Sequence, residues 1–433
     1  MTTAHFGVQE HVLPTSYIRE YARSTADDQE HELKLAVKQY TPLKAAQPGL
    51  RSVTIVGAHA NGFPKELYEP LWDELYVRLE ARGLHVCNVW IADAAHQGAS
   101  GVLNEEQLGD DPSWMDHSRD LFLMINHFRK QMLRPLIGVG HSMGGCHLAN
   151  LSLMHSRLFT TLILIDPVLM RHNPSEKGPP LAVISTRRRD LWPSRRAAES
   201  GFLKSKFYQN WDPRVLANWV RYGLRDLPTQ IYPDTDTTQQ HDVGVTLTTT
   251  KHQEVLSFMR RNFPTKDFPN PSIEPNPRTH PDVDPNIQPS SPFYRFEIHS
   301  TFHKLQFLRP SVLYLFADQS GISMPILIAD KMTVTGTGAG GSGGVKKGRV
   351  KQITFKGIGH LIPMEIPNES AEACAGWIVP EIQRWAENEA QDRAEQAQVP
   401  RHLRSQMNEN YVKTMLSGWY QQQGGQSAKP TKL

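Results

Sequence analysis

The 433-residue chain predicts an α/β fold, a mostly parallel sheet with helices on both faces and one large insertion. Two observations predict it. Short runs rich in Val, Ile and Leu alternate with longer segments of helical periodicity, the pattern of strands buried on both faces by crossover helices. The alternation stops after Asp166 and resumes near Pro310, yet the apolar runs on either side read as parts of one sheet. The length suits one such core with an insertion and requires no second, unrelated domain.

Strands are expected at 33–40, 52–58, 85–93, 135–140, 160–166, 311–317 and 349–357. A helix is expected over WMDHSRDLFLMINHFRKQM, where Leu121, Ile125, Phe128 and Met132 recur at i, i+4, i+7 and i+11 and form one stripe. The interrupting segment carries RRRDLWPSRR, a Thr-rich piece and a Pro-rich run from Phe263 to Phe293. Its prolines lack donors and forbid regular pairing. Helices around 193–222 and 251–262 and an extended strap are expected there, folded over the sheet. From 368 to 399 a terminal helix is expected, with Asn368 as N-cap and Pro380 as a kink or break. The chain thus divides into a first part of the core (1–166), a lid or cap insertion (167–309), a second part of the core (310–399) and a loosely attached polar tail (400–433).

Composition narrows the function. Lys plus Arg number 47 against 44 Asp plus Glu, a balance of +3 with no long run of one sign, so no nucleic-acid partner is expected. Cys87, Cys146 and Cys374 are scattered, with no CxxC pair and no Cys/His ligand spacing. That predicts a reducing compartment and no metal site. The N-terminal segment lacks a basic region followed by an apolar one, and no stretch reaches the roughly 18 apolar residues of a spanning helix. Neither secretion by the usual signal nor a membrane span is expected.

Gly140-His141-Ser142-Met143-Gly144 fits G-x-S-x-G, between an apolar strand and a helical segment. Such a turn lifts a serine hydroxyl above the sheet, and its flanking positions have no room for side chains. Serine needs a base to remove its proton and a third group to orient that base. His360, in FKGIGHLIPM directly after the last expected strand, stands where the base belongs. Two carboxylates close strands and could orient it: Asp166 in TTLILIDP and Asp318 in SVLYLFADQ. Asp166 is favoured because Pro167 would hold it at the strand end; Asp318 is the alternative acid, otherwise a strand-end cap. The oxyanion donors are expected to be the N–H of Met143, at the positive end of the following helix, and the N–H of Asn61, in the loop after SVTIVGA.

Three other features read as structural. GTGAGG (336–341) follows a helical stretch and precedes a strand, the reverse of the nucleotide-binding order, so it is expected to be a flexible loop. Lys346, Lys347 and Arg349 read as a solvated face rather than an anion site. Asp93 with HQGAS reads as a turn near the mouth of the site.

GFPKELYEPLWDEL (62–75), SWMDHSRDLFLMINHFR (113–129), RPLIGVGHSMGG (134–145), RLFTTLILIDP (157–167), GSGGVKKGRV (341–350) and GIGHLIP (357–363) are long, unusual strings. Through them the chain resembles, over nearly its full length, a fungal α/β-hydrolase group. That group includes the peroxisomal acyl-CoA hydrolase of mycophenolic acid biosynthesis and related hydrolases of toxin pathways. The resemblance implies the α/β-hydrolase fold and a serine thioesterase of fungal secondary metabolism. Ser142, Asp166 and His360 would form its triad, a lid would cover the site, and the assembly would be a homodimer. The implied substrate is an acyl-CoA with a bulky acyl part, and no metal or redox cofactor is required.

The chain departs from the group at His59-Ala60, where His-Gly is common, which bears on Asn61 as a donor. Thr431-Lys432-Leu433 resembles the SKL-type peroxisomal address with Thr in place of the small first residue. Peroxisomal import through the receptor for that address is the expectation, a cytoplasmic location the alternative. Two other activities fit the same residues: carboxylester or lipase-like hydrolysis, and non-catalytic ligand binding on this fold.

Overall fold

A computed structural model of the chain describes residues 3–45, 49–171, 180–233, 243–284 and 292–418. One eight-stranded sheet organises it: β1 (Phe6–Pro14), β2 (Lys34–Pro42), β3 (Arg51–Ala58), β4 (Leu84–Ala92), β5 (Leu136–His141), β6 (Thr161–Ile165), β7 (Ser311–Ala317) and β8 (Val350–Phe355). The order across the sheet is β1-β2-β4-β3-β5-β6-β7-β8. Only β2 runs against its neighbours; the remaining pairs are parallel. Every residue of β5, β6 and β7 is buried, which explains their unbroken apolar runs, whereas the edge strand β8 exposes much of its length.

From β3 the chain passes to β4 on one side, then crosses back to place β5 on the other side of β3. The loops after β3 and β5 therefore part in opposite directions and leave a crevice at the strand ends, where ligands bind in open α/β sheets.

The seven expected strands are present with ends within two residues. β1 went unpredicted because it is an edge strand whose apolar ends, Phe6 and Leu13, bracket mostly exposed residues. The helix Trp114–His127, capped by the Ser113 hydroxyl accepting from the Met115 N–H at 3.2 Å, ends sooner than its stripe suggests. Phe128 and Met132 are still buried, delivered to the core by the turn that follows.

Between β6 and β7 helices stand at 193–222 as expected, and local capping sets where they start. Ser194 and Asp212 each cap a new start, and the helices are Arg195–Lys204, Lys206–Gln209 and Pro213–Tyr222. The helix Lys251–Phe258 stops short of residue 262. A helix at Pro180–Arg187 and a three-stranded sheet of Leu191–Trp192, Leu224–Asp226 and Val245–Leu247 were not expected. These strands are too short to show a period, and one lies in the Thr-rich piece. The Pro-rich strap has no regular element among its described residues between Arg261 and Phe293. Arg260 pins it: the guanidinium donates to Asp111 and Asp282 at 2.8 Å and to the Thr279 carbonyl at 2.6 Å. It also lies 3.5 Å from the centre of the Tyr21 ring.

The described residues form two compact units, Met1–Glu381 and Ile382–Leu433. The helix Pro367–Ala397 continues through Pro380, where a kink or break was expected. Asn368 lies inside it rather than capping it, and its side chain accepts from Arg78. The second unit holds a helix, Glu409–Leu416, capped by Asn408, where only a loose tail was expected. Thr431-Lys432-Leu433 lie outside the described residues. Among the described residues no helix is long and apolar enough to cross a membrane.

Among the buried histidines of the first unit are His59, His96, His117, His141 and His147. Burial depresses these five, His117 and His141 to about 3. They are neutral when folded, while the unfolded chain takes up their protons from about pH 6.5 downward. Their stabilising contribution is therefore complete above about pH 6.5 and is lost as pH falls toward the folded values. Each can cost up to about 1.4 kcal/mol per pH unit in that window. Urea denaturation at pH 7.5, 6 and 5 should show the midpoint dropping steeply below pH 6.5. Replacing His117 by Leu should flatten the slope; a profile level down to pH 5 would contradict this account.

Candidate active site

Ser142 stands between the end of β5 and the helix Met143–Met154 with φ 56° and ψ −116°, a conformation L-residues rarely adopt. Hydrogen bonds hold the turn: the Ser142 N–H donates to the Ile165 carbonyl at 2.9 Å, and the Ser142 carbonyl accepts from Gly145 and Val168, both at 3.1 Å. The glycines meet distinct needs. A Cβ at Gly140 would lie 2.5 Å from the Gly144 carbonyl oxygen, closing the turn on itself. One at Gly144 would lie 2.1 Å from the Ala58 carbonyl oxygen, so this glycine lets the helix abut the end of β3.

His360 follows β8. Its Nε2 lies 2.9 Å from the Ser142 hydroxyl and its Nδ1 lies 2.7 Å from Asp166 Oδ2. A carboxylate only accepts, so Nδ1 carries the proton and Nε2 is left to accept from the serine. Asp166 follows β6 at φ 40°, its N–H donating to the Leu315 carbonyl at 2.7 Å. Burial would raise its carboxyl, but the hydrogen bond and charge of His360, with the Ser323 hydroxyl on the other oxygen, hold it below the usual range. Asp166 is 1% exposed whereas the His360 side chain is 22% exposed. The ion is thus sealed in while the imidazole meets the crevice.

Asp318 is exposed and does not meet His360. Its carboxylate accepts from the Gly357 N–H at 2.8 Å and from Gln319 at 3.1 Å, and so braces the loop that carries His360.

In the loop after β3, the Ala60 N–H donates to the Tyr68 hydroxyl and the Gly62 N–H to Gln97 Oε1, both at 2.8 Å. Among the hydrogen bonds of the described residues, neither the Asn61 N–H nor the Met143 N–H is engaged. Those are the two donors expected from the sequence. The departure at Ala60 does not occupy the Asn61 N–H.

One hydrogen-bonded chain runs beneath the site. Ala60 donates to Tyr68, Tyr68 lies 2.9 Å from His141 Nδ1, and His141 Nε2 lies 3.0 Å from the His360 carbonyl. That carbonyl can only accept, so the neutral His141 donates from Nε2 and accepts from Tyr68 at Nδ1. The loop after β3 and the loop bearing His360 are thereby joined through the residue preceding Ser142.

Sequence reasoning missed Ser323, Tyr68 and Gln97. Ser323 and Tyr68 leave no local signal, since their partners are remote in sequence. Gln97 lies in HQGAS, a turn built around the buried Asp93, whose carboxylate takes the Lys65 ammonium at 2.6 Å and the Ala99 N–H at 2.8 Å. The GTGAGG loop is tied down rather than free. Gly336, Gly338 and Ser342 donate to the carbonyls of Leu305, Gln306 and Leu308 at 2.8 to 2.9 Å. Lys346 and Lys347 are exposed, but Arg349 pairs with Glu381 at 2.6 Å.

A family model described as "Alpha/beta hydrolase family" matches residues 55–377. "Type I acyl-CoA thioesterase mpaH" of Penicillium roqueforti (strain FM164) is 44% identical over 401 residues, 90% of this chain and 91% of that one. "Type I acyl-CoA thioesterase mpaH'" of Penicillium brevicompactum is 42% identical over 403 residues, 90% of this chain and 92% of that one. Among solved structures, the peroxisomal alpha-beta-hydrolase Lpx1 from Saccharomyces cerevisiae superposes with a TM-score of 0.64, covering 97% of this chain and 98% of that one. At 16% identity that is a likeness of fold. With sheet order and family match in agreement, the chain belongs to the alpha/beta hydrolase family.

Proposed function

We propose that the protein is a serine hydrolase that cleaves acyl-CoA thioesters through an acyl-enzyme. The observation that carries this reading is the unbroken series from the Ser142 hydroxyl through His360 to the sealed carboxylate of Asp166, at 2.9 and 2.7 Å. The names of the Penicillium relatives, similar over nine-tenths of the chain, support the thioester as the bond cleaved.

Ser142 attacks the thioester carbonyl as His360 Nε2 takes its proton, and Asp166 stabilises the imidazolium that forms. The N–H groups of Met143 and Asn61 receive the oxyanion. His360 returns the proton to the departing CoA thiol, then activates the water that releases the acid. The described residues of the insertion between β6 and β7 serve as a lid over this chemistry, and its inner shape selects the acyl group. No step calls for a metal or redox cofactor.

Ser142→Ala should lower turnover by a factor on the order of 10⁴ to 10⁶ and abolish labelling by a fluorophosphonate. Retained activity would sink the mechanism. Asp166→Asn should be nearly as damaging, whereas Asp318→Asn should cost at most a few-fold; the reverse ranking would reassign the acid. On a panel of acyl-CoA thioesters beside matched simple esters, kcat/KM should favour the thioesters. Preference for esters whatever the leaving group would make the enzyme a carboxylesterase.

A peroxisomal location goes with this reading, supported by Thr431-Lys432-Leu433 and by the yeast neighbour's name. A fluorescent protein fused to the N-terminus should mark peroxisomes and turn diffuse when the last three residues are deleted. A diffuse signal from the full chain would place the enzyme in the cytoplasm.

A further inference from the structure

The segment between β6 and β7 meets the loop after β3 at several residues, Trp211 and Trp219 on Phe63 among them, and Glu254 is the one that hydrogen-bonds Asn61. Glu254, buried in the helix Lys251–Phe258, accepts from the Ser185 hydroxyl at 2.6 Å on one oxygen and from the Arg188 guanidinium at 2.7 Å on the other. Ser185 belongs to the helix Pro180–Arg187 and Arg188 follows it directly. The backbone carbonyl of Glu254 accepts from Asn61 Nδ2 at 2.9 Å.

Asn61 is held at its other end as well, where Gln97 Nε2 donates to its Oδ1 while Gln97 Oε1 takes the Gly62 N–H. Contact is close: a Cβ at Gly62, whose φ is +82°, would lie 2.8 Å from the Glu254 carboxyl carbon. Both ends of the Asn61 side chain are spent on position. Its backbone N–H remains free among the described residues for an oxyanion.

We propose that Glu254 is a positioning residue that ties the helix Pro180–Arg187 to the oxyanion loop, so that the Asn61 N–H reaches the oxyanion only while Ser185 and Arg188 hold the carboxylate. The proposal rests on the reading of Ser142 as nucleophile and Asn61 as donor. It makes the insertion part of the catalytic geometry as well as its cover. The donor's alignment then depends on a charge-assisted pair, which is directional and fails when either partner is removed.

The experiment compares wild type, Glu254→Gln, Arg188→Ala and the double variant on the best acyl-CoA substrate. It measures kcat, KM, thermal midpoint and affinity for a trifluoromethyl ketone, whose tetrahedral adduct needs the oxyanion donors. Removal of one donor typically costs on the order of 100- to 1000-fold in turnover. A displaced donor should cost about 10- to 100-fold in kcat, with KM changed less than about threefold and ketone affinity falling in step. The double variant should be no slower than the worse single one, because both cut the same tie.

Turnover within twofold of wild type in a folded Glu254→Gln variant, or losses that multiply in the double variant, would overturn the proposal. If Glu254→Gln does not fold, Ser185→Ala and Arg188→Ala answer the same question from the other side of the carboxylate. Failure of the underlying reading would look different, with Ser142→Ala still active or wild type not labelled by a fluorophosphonate.

Discussion

The helix Met143–Met154 can meet the end of β3 only because position 144 has no side chain. A Cβ there would lie 2.1 Å from the Ala58 carbonyl oxygen. This contact sets the nucleophile turn against the loop that bears Asn61, and the rest of the site is arranged around it. Ser142 takes its unusual backbone conformation at the same junction, bound to β6 and to Val168. Strain of this kind persists only where the surroundings over-determine it.

Around that junction four strand-end loops converge from distant parts of the chain. Those after β3 and β5 bring Asn61 and Ser142, those after β6 and β8 bring Asp166 and His360. Neutral, buried groups then lock the loops together. His141 and Tyr68 join the β3 loop to the β8 loop, and Gln97 joins the β3 loop to the turn after β4. A neutral imidazole suits such a task because it offers one donor and one acceptor without the desolvation cost of a charge. Among the described residues, charges at and around the site include Asp166 beside His360, the Glu254–Arg188 pair and the buried Lys65–Asp93 pair.

Much of this architecture was legible because its signals are local. Strands buried on both faces read as continuous apolar runs, and a nucleophile turn needs its glycines within two residues of the serine. His360 could be placed because only one histidine follows the last strand directly. The edge strand β1 escaped because few of its side chains are buried, and the starts of separate helices within 193–222 are set by two capping residues, Ser194 and Asp212. GTGAGG reads as free chain, yet its amides are spent on carbonyls of residues 305–308.

Local pattern was thus enough for the fold class, seven of the eight strands of the main sheet and the two residues that meet at 2.9 Å, Ser142 and His360. Choosing between Asp166 and Asp318 required the folded chain. Both carboxylates close a strand, and only sheet order and loop path decide which one lies 2.7 Å from His360 and which one caps Gly357. Tyr68, Gln97, Ser323 and Glu254 were invisible for the same reason. Each acts through a hydrogen bond to a residue far along the chain, and such a bond depends on geometry that no short window of sequence contains.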